Sequence, residues 1–352
     1  MSVTLKQVAA VSNVSVSTAS RALSGHPGIS GPTVDRIREA ANQLNYKVRR
    51  PDAAGGSLKG AEIGIICLRM DRSLTSLPTV SAAIEGAETS LAKEGARTLF
   101  VTVPELESPP SVLTNRLPDG LILAGALQGD EIGRSRHPFL EQLRRLPTVW
   151  LLGRPAAAWG DVVGSNDYEV GAMAARALLE AGHKQLAFIN PKPDHLLFRR
   201  REDGFRAEAR RAGAETVLSI CESPAGGWEL PLQAPAGVRV VETLIDRAIA
   251  ANPRPTGLFA AADSVAVLVY RALAKRGLKV GQDISIVSGN NDTSLIAGLH
   301  PSLTTCDVGA YEIGQLAVRQ LAMRLRHGTE LAEVEILTNP TLIRNASVAE
   351  CR

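Results

Sequence analysis

The stretch VSNVSVSTASRALSG, residues 11–25, carries the signals of a tight turn followed by a short helix. Just before it, Thr4 and Gln7 have the spacing of a capping box, which predicts a first short helix. Asn13 tolerates the left-handed backbone that a tight turn requires, and Ser15 is a favoured cap for the helix that follows. The pattern predicts two short helices joined by a turn at Asn13.

A third helix is predicted to begin at Ser30. Its apolar positions recur at steps of three and four residues, as a single buried stripe requires: Val34, Ile37, Ala41 and Leu44. This stripe can form one small core with the inward positions of the second helix, Val14, Ala19 and Leu23. The opposite face of that helix then presents three small side chains and an arginine, which suit close approach to DNA: Val16, Ser17, Thr18 and Arg21.

Charge is divided unevenly along the chain. Residues 1–60 contain eight Lys and Arg against three Asp and Glu, a net charge of +5, although the whole chain carries only +3. A small basic module on a near-neutral body favours a nucleic-acid-binding head attached to another kind of domain. A generic three-helix bundle with a solvated basic surface is the alternative that charge alone leaves open.

Length and composition limit the number of domains and the classes of protein to consider. At 352 residues, 45% of them hydrophobic, the chain is long enough for two or three domains. It shows no export signal and no apolar run of about 18 residues, so we expect a cytoplasmic protein. The cysteines are too scattered to predict disulfides or a metal site. Dinucleotide, phosphate-loop and nucleophile-elbow motifs are absent from the sequence, so we expect neither an enzyme nor a cofactor.

Beyond residue 60, apolar runs of strand length alternate with amphipathic stretches of helix length. The strand candidates are Glu62–Leu68, Arg97–Val103, Gly120–Leu123, Thr148–Leu152, Gln185–Ile189, Gly257–Ala260 and Ile284–Ser288. The helix candidates include Val80–Lys93, Val170–Ala181 and Val265–Arg276. This alternation is typical of α/β folds with parallel sheets. Because it occurs twice, with a break near residues 159–163, we predict two doubly wound lobes with a ligand site between their strand ends.

The headpiece resembles a known family. The run VTLKQVAAVSNVSVSTASRALSG, followed by ISGPTVDRIREAANQLNY, is similar to the headpiece of lactose-repressor (LacI-type) bacterial transcription regulators. The resemblance implies that Val16, Ser17 and Arg21 read base edges, and the fork of Arg21 suits guanine. The DNA-binding set that it implies for the headpiece is Thr4, Ser15, Val16, Ser17, Thr18, Arg21, Ser30, Asn45 and Tyr46.

A connection rich in Gly and Pro follows Tyr46. In the family, a hinge segment of the form Pro-Asn-x-x-Ala-x-x-Leu folds on operator DNA, and its Leu enters the minor groove as a wedge. Residues 51–58, PDAAGGSL, are similar, which makes Leu58 the candidate DNA-binding wedge. The Pro lies further from Tyr46 than usual, and each Gly disfavours a helix by about 0.5–1 kcal/mol relative to Ala. The alternative is a flexible linker with Leu58 packed against the body.

The resemblance extends through the body. Family landmarks occur in order, namely PDGLIL, VVGSNDYEVGAMAARALLEAGHKQLAFI, RREDGF, PTGLFAAADSVA, QDISIVSGNND and HPSLTT. They imply a periplasmic-binding-protein-like α/β core of two lobes, between which the chain crosses three times. The expected organisation is a headpiece at 1–47, a hinge or linker at 48–60, an N-subdomain at 61–160 and 293–321, a C-subdomain at 161–292 and 322–345, and a tail at 346–352.

The family binds a small effector, often a sugar or a nucleobase, between its lobes. Arg201 matches the family's effector-binding Arg, and Asp263 matches the Asp of its Asn-Asp pair, whereas Asn291 stands where a carboxylate is usual. The expected effector-binding set is Arg69, Thr79, Arg154, Arg201, Asp263 and Asn291. An anionic effector is favoured by five arginines, Arg69, Arg154, Arg199, Arg200 and Arg201, although solvated surface positions are an open alternative for Arg199 and Arg200.

Together these patterns predict a DNA-binding transcriptional regulator, a repressor whose affinity for operator DNA is controlled by a small molecule between two lobes. A homodimer on an inverted repeat is expected, because one recognition helix reads few base pairs and two-fold symmetry doubles the site. The C-terminal tail carries no leucine heptad, which disfavours a tetramer. A solute-binding protein with the same core fold and no role on DNA is the alternative.

Overall fold

The computed structural model describes residues 4–23, 29–44, 58–222, 238–327 and 332–351. The chain divides into two compact units, Met1–Gly55 and Gly56–Arg352. The described part of the first unit is helical, and the second unit contains two six-stranded, largely parallel sheets. This is the fold class predicted from the sequence: an all-α headpiece and a two-lobed α/β core.

The first unit contains three helices, α1 (Leu5–Val11), α2 (Val16–Leu23) and α3 (Gly31–Gln43). Small side chains allow them to pack closely around one core, which consists of Val8, Ala9, Ala19, Ala22, Ile37, Ala40 and Ala41. Val14, Leu23, Val34 and Leu44 are half-buried against this core, so the predicted stripe and its partners face inward.

The predicted start and stop signals of these helices are confirmed. The Gln7 side chain accepts a hydrogen bond from the Thr4 backbone N–H at 2.7 Å, as one arm of a capping box requires. Asn13 has a φ of 52° and so makes the left-handed turn between α1 and α2. The Ser15 hydroxyl accepts from the Thr18 backbone N–H at 3.0 Å and caps α2.

The second unit begins with the first lobe. Its elements in chain order are β1 (Glu62–Leu68), a 3₁₀ turn (Arg72–Ser76), α4 (Pro78–Lys93), β2 (Arg97–Val103), α5 (Ser111–Asn115), β3 (Gly120–Gly125), α6 (Glu131–Arg134), α7 (Pro138–Leu143), β4 (Thr148–Leu152) and β5 (Asp161–Ser165). The central strands are buried almost continuously, because helices cover both faces of a parallel sheet.

The second lobe repeats the same alternation of strands and helices. Its elements are α8 (Asp167–Glu180), β6 (Gln185–Asn190), α9 (Leu196–Arg211), β7 (Thr216–Cys221), α10 (Val238–Ala250), β8 (Gly257–Ala260), α11 (Asp263–Ala274), β9 (Ser285–Asn290), α12 (Thr293–Ile296) and β10 (Thr304–Asp307). The chain then returns to the first lobe with α13 (Ala310–His327) and β11 (Glu335–Thr338), and ends in the second lobe with β12 (Thr341–Ile343). The two sheet orders are β11-β5-β4-β3-β1-β2 and β12-β10-β9-β8-β6-β7.

The three crossings between lobes are confirmed, but each lies later in the chain than expected. β5 pairs with β4, so the first lobe extends to 165 rather than 160. β10 pairs with β9, which moves the return from 292 to 307–310. β11 pairs with β5, so the last crossing lies at 338–341 rather than 321. The polar sequence of β10, TTCD, did not predict a strand, although the strand is buried. Its threonine hydroxyls are tolerated there because they form hydrogen bonds inside the fold.

The three crossing segments are hydrogen-bonded to one another through Thr338. Its carbonyl accepts from the Asn166 N–H at 2.8 Å. Its hydroxyl donates to the Val308 carbonyl at 3.2 Å. The connections between the lobes therefore form one bonded cluster.

The expected tail at 346–352 is built into the second lobe as far as the structure describes it. Ser347 is fully buried, and its carbonyl accepts from the Ile286 N–H at 2.9 Å. His183 lies 3.0 Å from the Ala349 carbonyl and 2.8 Å from the Ser285 hydroxyl. Burial lowers the pKa of His183, which favours a neutral ring at this contact.

Candidate nucleic-acid interface and effector cavity

The outer face of α2 brings together the side chains predicted to contact DNA. Ser15, Val16, Ser17 and Arg21 are exposed, whereas Thr18 is half-buried. The Ser15 hydroxyl lies 2.8 Å from that of Ser17 and 2.7 Å from that of Thr18. The face therefore offers a hydroxyl cluster, an apolar side chain and one guanidinium.

The remaining headpiece candidates lie at helix starts or outside the described residues. Thr4 precedes α1 and Ser30 precedes α3, and both are exposed. The Ser30 hydroxyl lies 2.9 Å from that of Thr33. Asn45 and Tyr46 fall outside the described residues, as do residues 51–57 of the hinge segment.

Leu58 is part of the hydrophobic core of the α/β unit. Its side chain is only 5% exposed, and it belongs to the same buried cluster as the strands of the first lobe. Its carbonyl accepts from the Ala61 N–H at 2.9 Å. The structure thus shows the packed alternative for Leu58, and insertion into a minor groove would require this side chain to leave the core.

A cavity of about 160 Å³ lies between the two lobes at the carboxyl ends of their strands. Its wall includes residues at or just beyond the ends of seven strands: Met70, Gly125, Leu152, Ser165, Ala262, Asn290 and Val308. This is where ligands bind in open α/β sheets, and it is the position predicted from the sequence. The volume is below the usual range for ligand pockets, about 300–1,000 Å³, so it suits a small effector.

Arg201 is the predicted effector residue that the structure places most clearly in the cavity wall. It is 2% exposed, and three hydrogen bonds hold its guanidinium. Nε donates to Asp167 at 2.7 Å, Nη1 to the Ala261 carbonyl at 2.7 Å, and Nη2 to Asn290 Oδ1 at 2.9 Å. A charge held this firmly has a fixed orientation toward an occupant.

Two glycines allow the close helix packing that positions Arg201. A Cβ on Gly171 of α8 would lie 1.8 Å from the Arg201 carbonyl, and a Cβ on Gly204 of α9 would lie 1.8 Å from the Tyr168 carbonyl. Any side chain at either position would separate the two helices. Their contact brings Arg201 against Asp167 at the start of α8.

Thr79 also lies in the cavity wall, as predicted, and it joins the two lobes. Its hydroxyl, at the start of α4, donates to Asp292 Oδ1 at 2.5 Å. Asp292 belongs to the second lobe and is 6% exposed. This interlobe hydrogen bond closes one side of the cavity.

Asp263 and Asn291 support the cavity from behind rather than forming its wall. Asp263 is fully buried and accepts from the Thr305 hydroxyl at 2.8 Å, from the Asp292 N–H at 2.7 Å and from the Ser288 hydroxyl. Burial raises the pKa of its carboxyl to about 6. Asn291 has a φ of 60° and donates to Asp307 at 2.9 Å. Their neighbours Asn290 and Asp292 line the cavity instead.

Arg69 and Arg154 lie outside the cavity wall, which corrects their predicted place in the effector site. Arg69 is 3.0 Å from Glu131 and donates to the Pro104 carbonyl at 3.1 Å. Arg154 is 2.6 Å from Glu333 and donates to the Gly160 carbonyl. Both follow strands as expected, but acidic partners from the same lobe hold them elsewhere.

The arginine cluster that favoured an anionic effector is therefore not assembled around the cavity. Arg200 pairs with Glu335 at 2.7 Å, and Arg199 is exposed. Among the five arginines, Arg201 alone lines the wall.

Several polar residues of the wall were missed by the sequence analysis, notably Gln128, Lys192 and His195. Each follows a strand of a parallel sheet, and position beyond a strand's carboxyl end was the available signal. Burial lowers the pKa of Lys192. Burial, with the nearby charges of Lys192 and Arg201, lowers the pKa of His195 to about 3, so its ring is neutral near pH 7.

The described ranges show no cluster of three or more His, Cys, Asp or Glu side chains suited to a metal ion. None of the helices within them is both long and apolar enough to span a membrane.

Family comparison assigns both units. Residues 4–48 match the model described as bacterial regulatory proteins, lacI family, and residues 175–348 match the periplasmic binding protein-like domain. The chain belongs to the lacI family. Its headpiece is accordingly a DNA-binding domain, and the alternative of a solute-binding protein without a role on DNA is disfavoured.

Relatives of this lacI-family protein match nearly its whole length. The ribose operon repressor of Haemophilus influenzae (strain ATCC 51907 / DSM 11121 / KW20 / Rd) is 27% identical over 350 residues, covering 98% of each chain. The HTH-type transcriptional repressor PurR of Aliivibrio fischeri (strain ATCC 700601 / ES114) is 28% identical over 354 residues, again covering 98% of each chain. Both relatives are named as transcriptional repressors, which agrees with a ligand-controlled repressor.

Solved structures of transcriptional regulators share the fold. A transcriptional regulator CelR–cellobiose complex matches with a TM-score of 0.66 and 22% identity, over 98% of this chain and 99% of that one. The lac repressor dimer bound to operator and the anti-inducer ONPF matches with a TM-score of 0.63 and 21% identity, over 99% and 100%. The headpiece and the two-lobed core therefore occur together in solved structures.

Proposed function

We propose that this protein binds an inverted-repeat operator as a homodimer and represses transcription there, with a small molecule between the lobes setting its operator affinity. The observation that carries the proposal is the exposed hydroxyl and arginine face of α2 on a lacI-family headpiece, joined in one chain to a cavity lined by both lobes. Such a protein acts in the cytoplasm, where its DNA lies, and we assign it no catalytic activity.

Side-chain chemistry assigns roles on the face of α2. The Arg21 guanidinium can pair in bidentate fashion with a guanine in the major groove. Val16, which is 41% exposed, can contact a thymine methyl group. The Ser17 hydroxyl can bond to a base edge. The hydroxyls of Ser15 and Thr18 suit phosphate oxygens, which fix the register of the helix on the duplex.

A homodimer is proposed because α2 is short. Its eight residues reach only a few base pairs, and a two-fold axis doubles the length of sequence read. The matched structure of the lac repressor is described as a dimer on its operator, which supports the same assembly here.

Effector control follows from a cavity that both lobes share. An occupant that touches Thr79 in the first lobe and Arg201 in the second favours one arrangement of the lobes over others. A ligand can shift a conformational equilibrium only by its difference in affinity for the two states. Coupling between two such sites is typically about 1–3 kcal/mol.

The test is selection and sequencing of DNA fragments bound by the full-length protein at roughly physiological salt. We expect an enriched inverted repeat, and the absence of any enriched repeat, with or without added cell metabolites, contradicts the proposal.

Arg21→Ala should cost about 1–3 kcal/mol of binding and relax one position in each half-site. Arg38→Ala, on an exposed position of α3, removes the same charge and should preserve the sequence preference. An equal loss on all sequences for Arg21→Ala would show that Arg21 holds phosphate instead.

A further inference from the structure

The cavity between the lobes contains two buried polar atoms with no hydrogen-bond partner among the described residues. They are Oε1 of Gln128 and Nδ1 of His195, and both side chains belong to the cavity wall. Gln128 is only 8% exposed. Because a buried unpaired polar atom is costly, an occupant that pairs with both atoms gains binding energy at this point.

Backbone pairing places the two atoms on the same side of the chain. Gln128 of the first lobe and His195 of the second form an isolated antiparallel bridge. The adjacent Leu196 N–H donates to the Leu127 carbonyl at 3.0 Å. Directly opposed residues in an antiparallel pair project their side chains to the same face, so one head group can reach both atoms.

The positive charges around the cavity are offset by carboxyl groups. In the wall, Lys192 and Arg201 supply two positive charges and Asp292 one negative charge. Two further carboxyl groups lie behind the wall: Asp167 is bonded to Arg201, and Asp263 accepts from the Asp292 N–H and has its pKa raised to about 6 by burial. The His195 ring adds none, because burial and the two cations keep it neutral. An anionic effector would therefore find no excess of positive charge here.

Apolar side chains form most of the rest of the wall, beside a few polar ones such as Thr79, Ser165 and Asn290. Leu74, Leu77, Leu151 and Leu197 contribute hydrocarbon from both lobes. Phe198 already stacks with His195, with ring centroids 4.4 Å apart. The hydroxyls of a polyol that face this hydrocarbon would be buried without partners, which is unfavourable.

We propose that the effector is an uncharged molecule with an apolar body and a single carboxamide or lactam head. The N–H of the head donates to Oε1 of Gln128, and its carbonyl accepts from His195 in the Nδ1–H tautomer. The inference rests on the proposed function, since it names the effector class for the same cavity. Because the head touches one residue from each lobe, its binding favours the closed arrangement.

Calorimetric titration of the full-length protein at pH 7, in the absence of DNA, tests this chemistry with four probes. Benzamide and ε-caprolactam carry the expected head, benzoate replaces the head of benzamide with an anion, and D-ribose is a polyol. We expect at least one amide probe to bind with a Kd at least about tenfold below those of benzoate and ribose. Preference for benzoate or ribose, or no amide binding at millimolar concentrations, overturns the proposal.

Two variants locate the binding. Gln128→Leu keeps the side-chain volume and removes the unpaired carbonyl, so we expect a folded protein whose Kd for the amide probe rises at least about tenfold. Gln142→Leu makes the same change at an exposed position of α7 and should leave the Kd unchanged. His195→Phe keeps a ring against Phe198, removes Nδ1 and should also raise the Kd. Unchanged Kd values in both cavity variants overturn the proposal.

The DNA selection and the calorimetry test different proposals, so a negative result in one leaves the other proposal standing. A protein that selects no DNA yet binds an amide probe at Gln128 refutes the repressor function alone. A protein that selects an inverted repeat but prefers ribose refutes the effector class alone.

Discussion

Replacing Leu58 with alanine tests whether this side chain stabilises the core or serves mainly to contact DNA. Leu58 is 5% exposed and lies in the hydrophobic cluster of the α/β unit. Truncating a buried leucine to alanine costs about 2–5 kcal/mol, from lost transfer energy and from the cavity left behind. Since Leu58 lies where the chain enters the core and the site can partly collapse, we expect about 3 kcal/mol of lost unfolding free energy.

The measurement is urea unfolding of the full-length protein followed by tryptophan fluorescence. Trp150 is fully buried in β4, and Trp159 packs edge-on against it with ring centroids 5.7 Å apart, so both report on the first lobe. Leu295→Ala, at a position 37% exposed, is the matched control and should change stability by less than about 0.5 kcal/mol. A loss below about 1 kcal/mol for Leu58→Ala would refute the packing argument.

The same variant bears on DNA binding. If Leu58 must leave the core to enter a minor groove, the complex gives up about 1.5–3 kcal/mol of side-chain burial. That amount corresponds to a loss of roughly ten- to hundredfold in operator affinity. For a Leu58 that stays in the core, the folded fraction of the Leu58→Ala protein should keep its operator Kd. A raised Kd in the folded fraction indicates insertion.

Three further changes test the cavity. The pKa of Asp263 is about 6 in the folded protein and about 3.9 in the unfolded chain. Folding therefore favours the protonated carboxyl, and the stability that Asp263 contributes is fully present below about pH 3.9 and is lost as the pH rises through about 6. Asp263→Asn should therefore gain about 3 kcal/mol relative to wild type between pH 4 and 7 in urea unfolding, and parallel pH profiles would contradict this. Arg201→Leu leaves Asp167 buried without its cation and should cost about 3–5 kcal/mol in the same assay; a loss under about 1 kcal/mol argues against the pair. Thr79→Val removes the interlobe hydrogen bond to Asp292 at a cost of about 1–3 kcal/mol. Small-angle scattering should then show a larger radius of gyration than for the wild type, and an unchanged radius would show that the bond does not hold the lobes closed.

Local signals in the sequence predicted the headpiece well. Thr4, Asn13 and Ser15 define its helix boundaries through their own side chains or backbone preferences, and the structure confirms each. Four of the seven predicted strands, such as Glu62–Leu68, have the bounds found in the structure. A strand such as β1 can be predicted from its continuous run of apolar residues, because both faces of a parallel sheet are covered and both must be apolar.

Features that depend on distant partners were harder to predict. Arg69 and Arg154 follow strands, yet their acidic partners lie 62 and 179 residues further along the chain, and only the fold brings them together. Gln128 and His195 lie on loops without a motif, and the bridge that joins them links two lobes. Arg201 was predictable because its place in a family motif was recognisable in the sequence.

The bonded cluster at Thr338 restricts how the two lobes can move. If the three connections were independent strands of chain, the lobes could slide, twist and separate in many directions. Because Asn166, Thr338 and Val308 are tied side by side, the connections act as one narrow pivot, and rotation about it is the motion that costs least. Small displacements of the cavity wall are then converted into a swing of one lobe as a rigid body, so a ligand of a few atoms can control the position of a whole lobe.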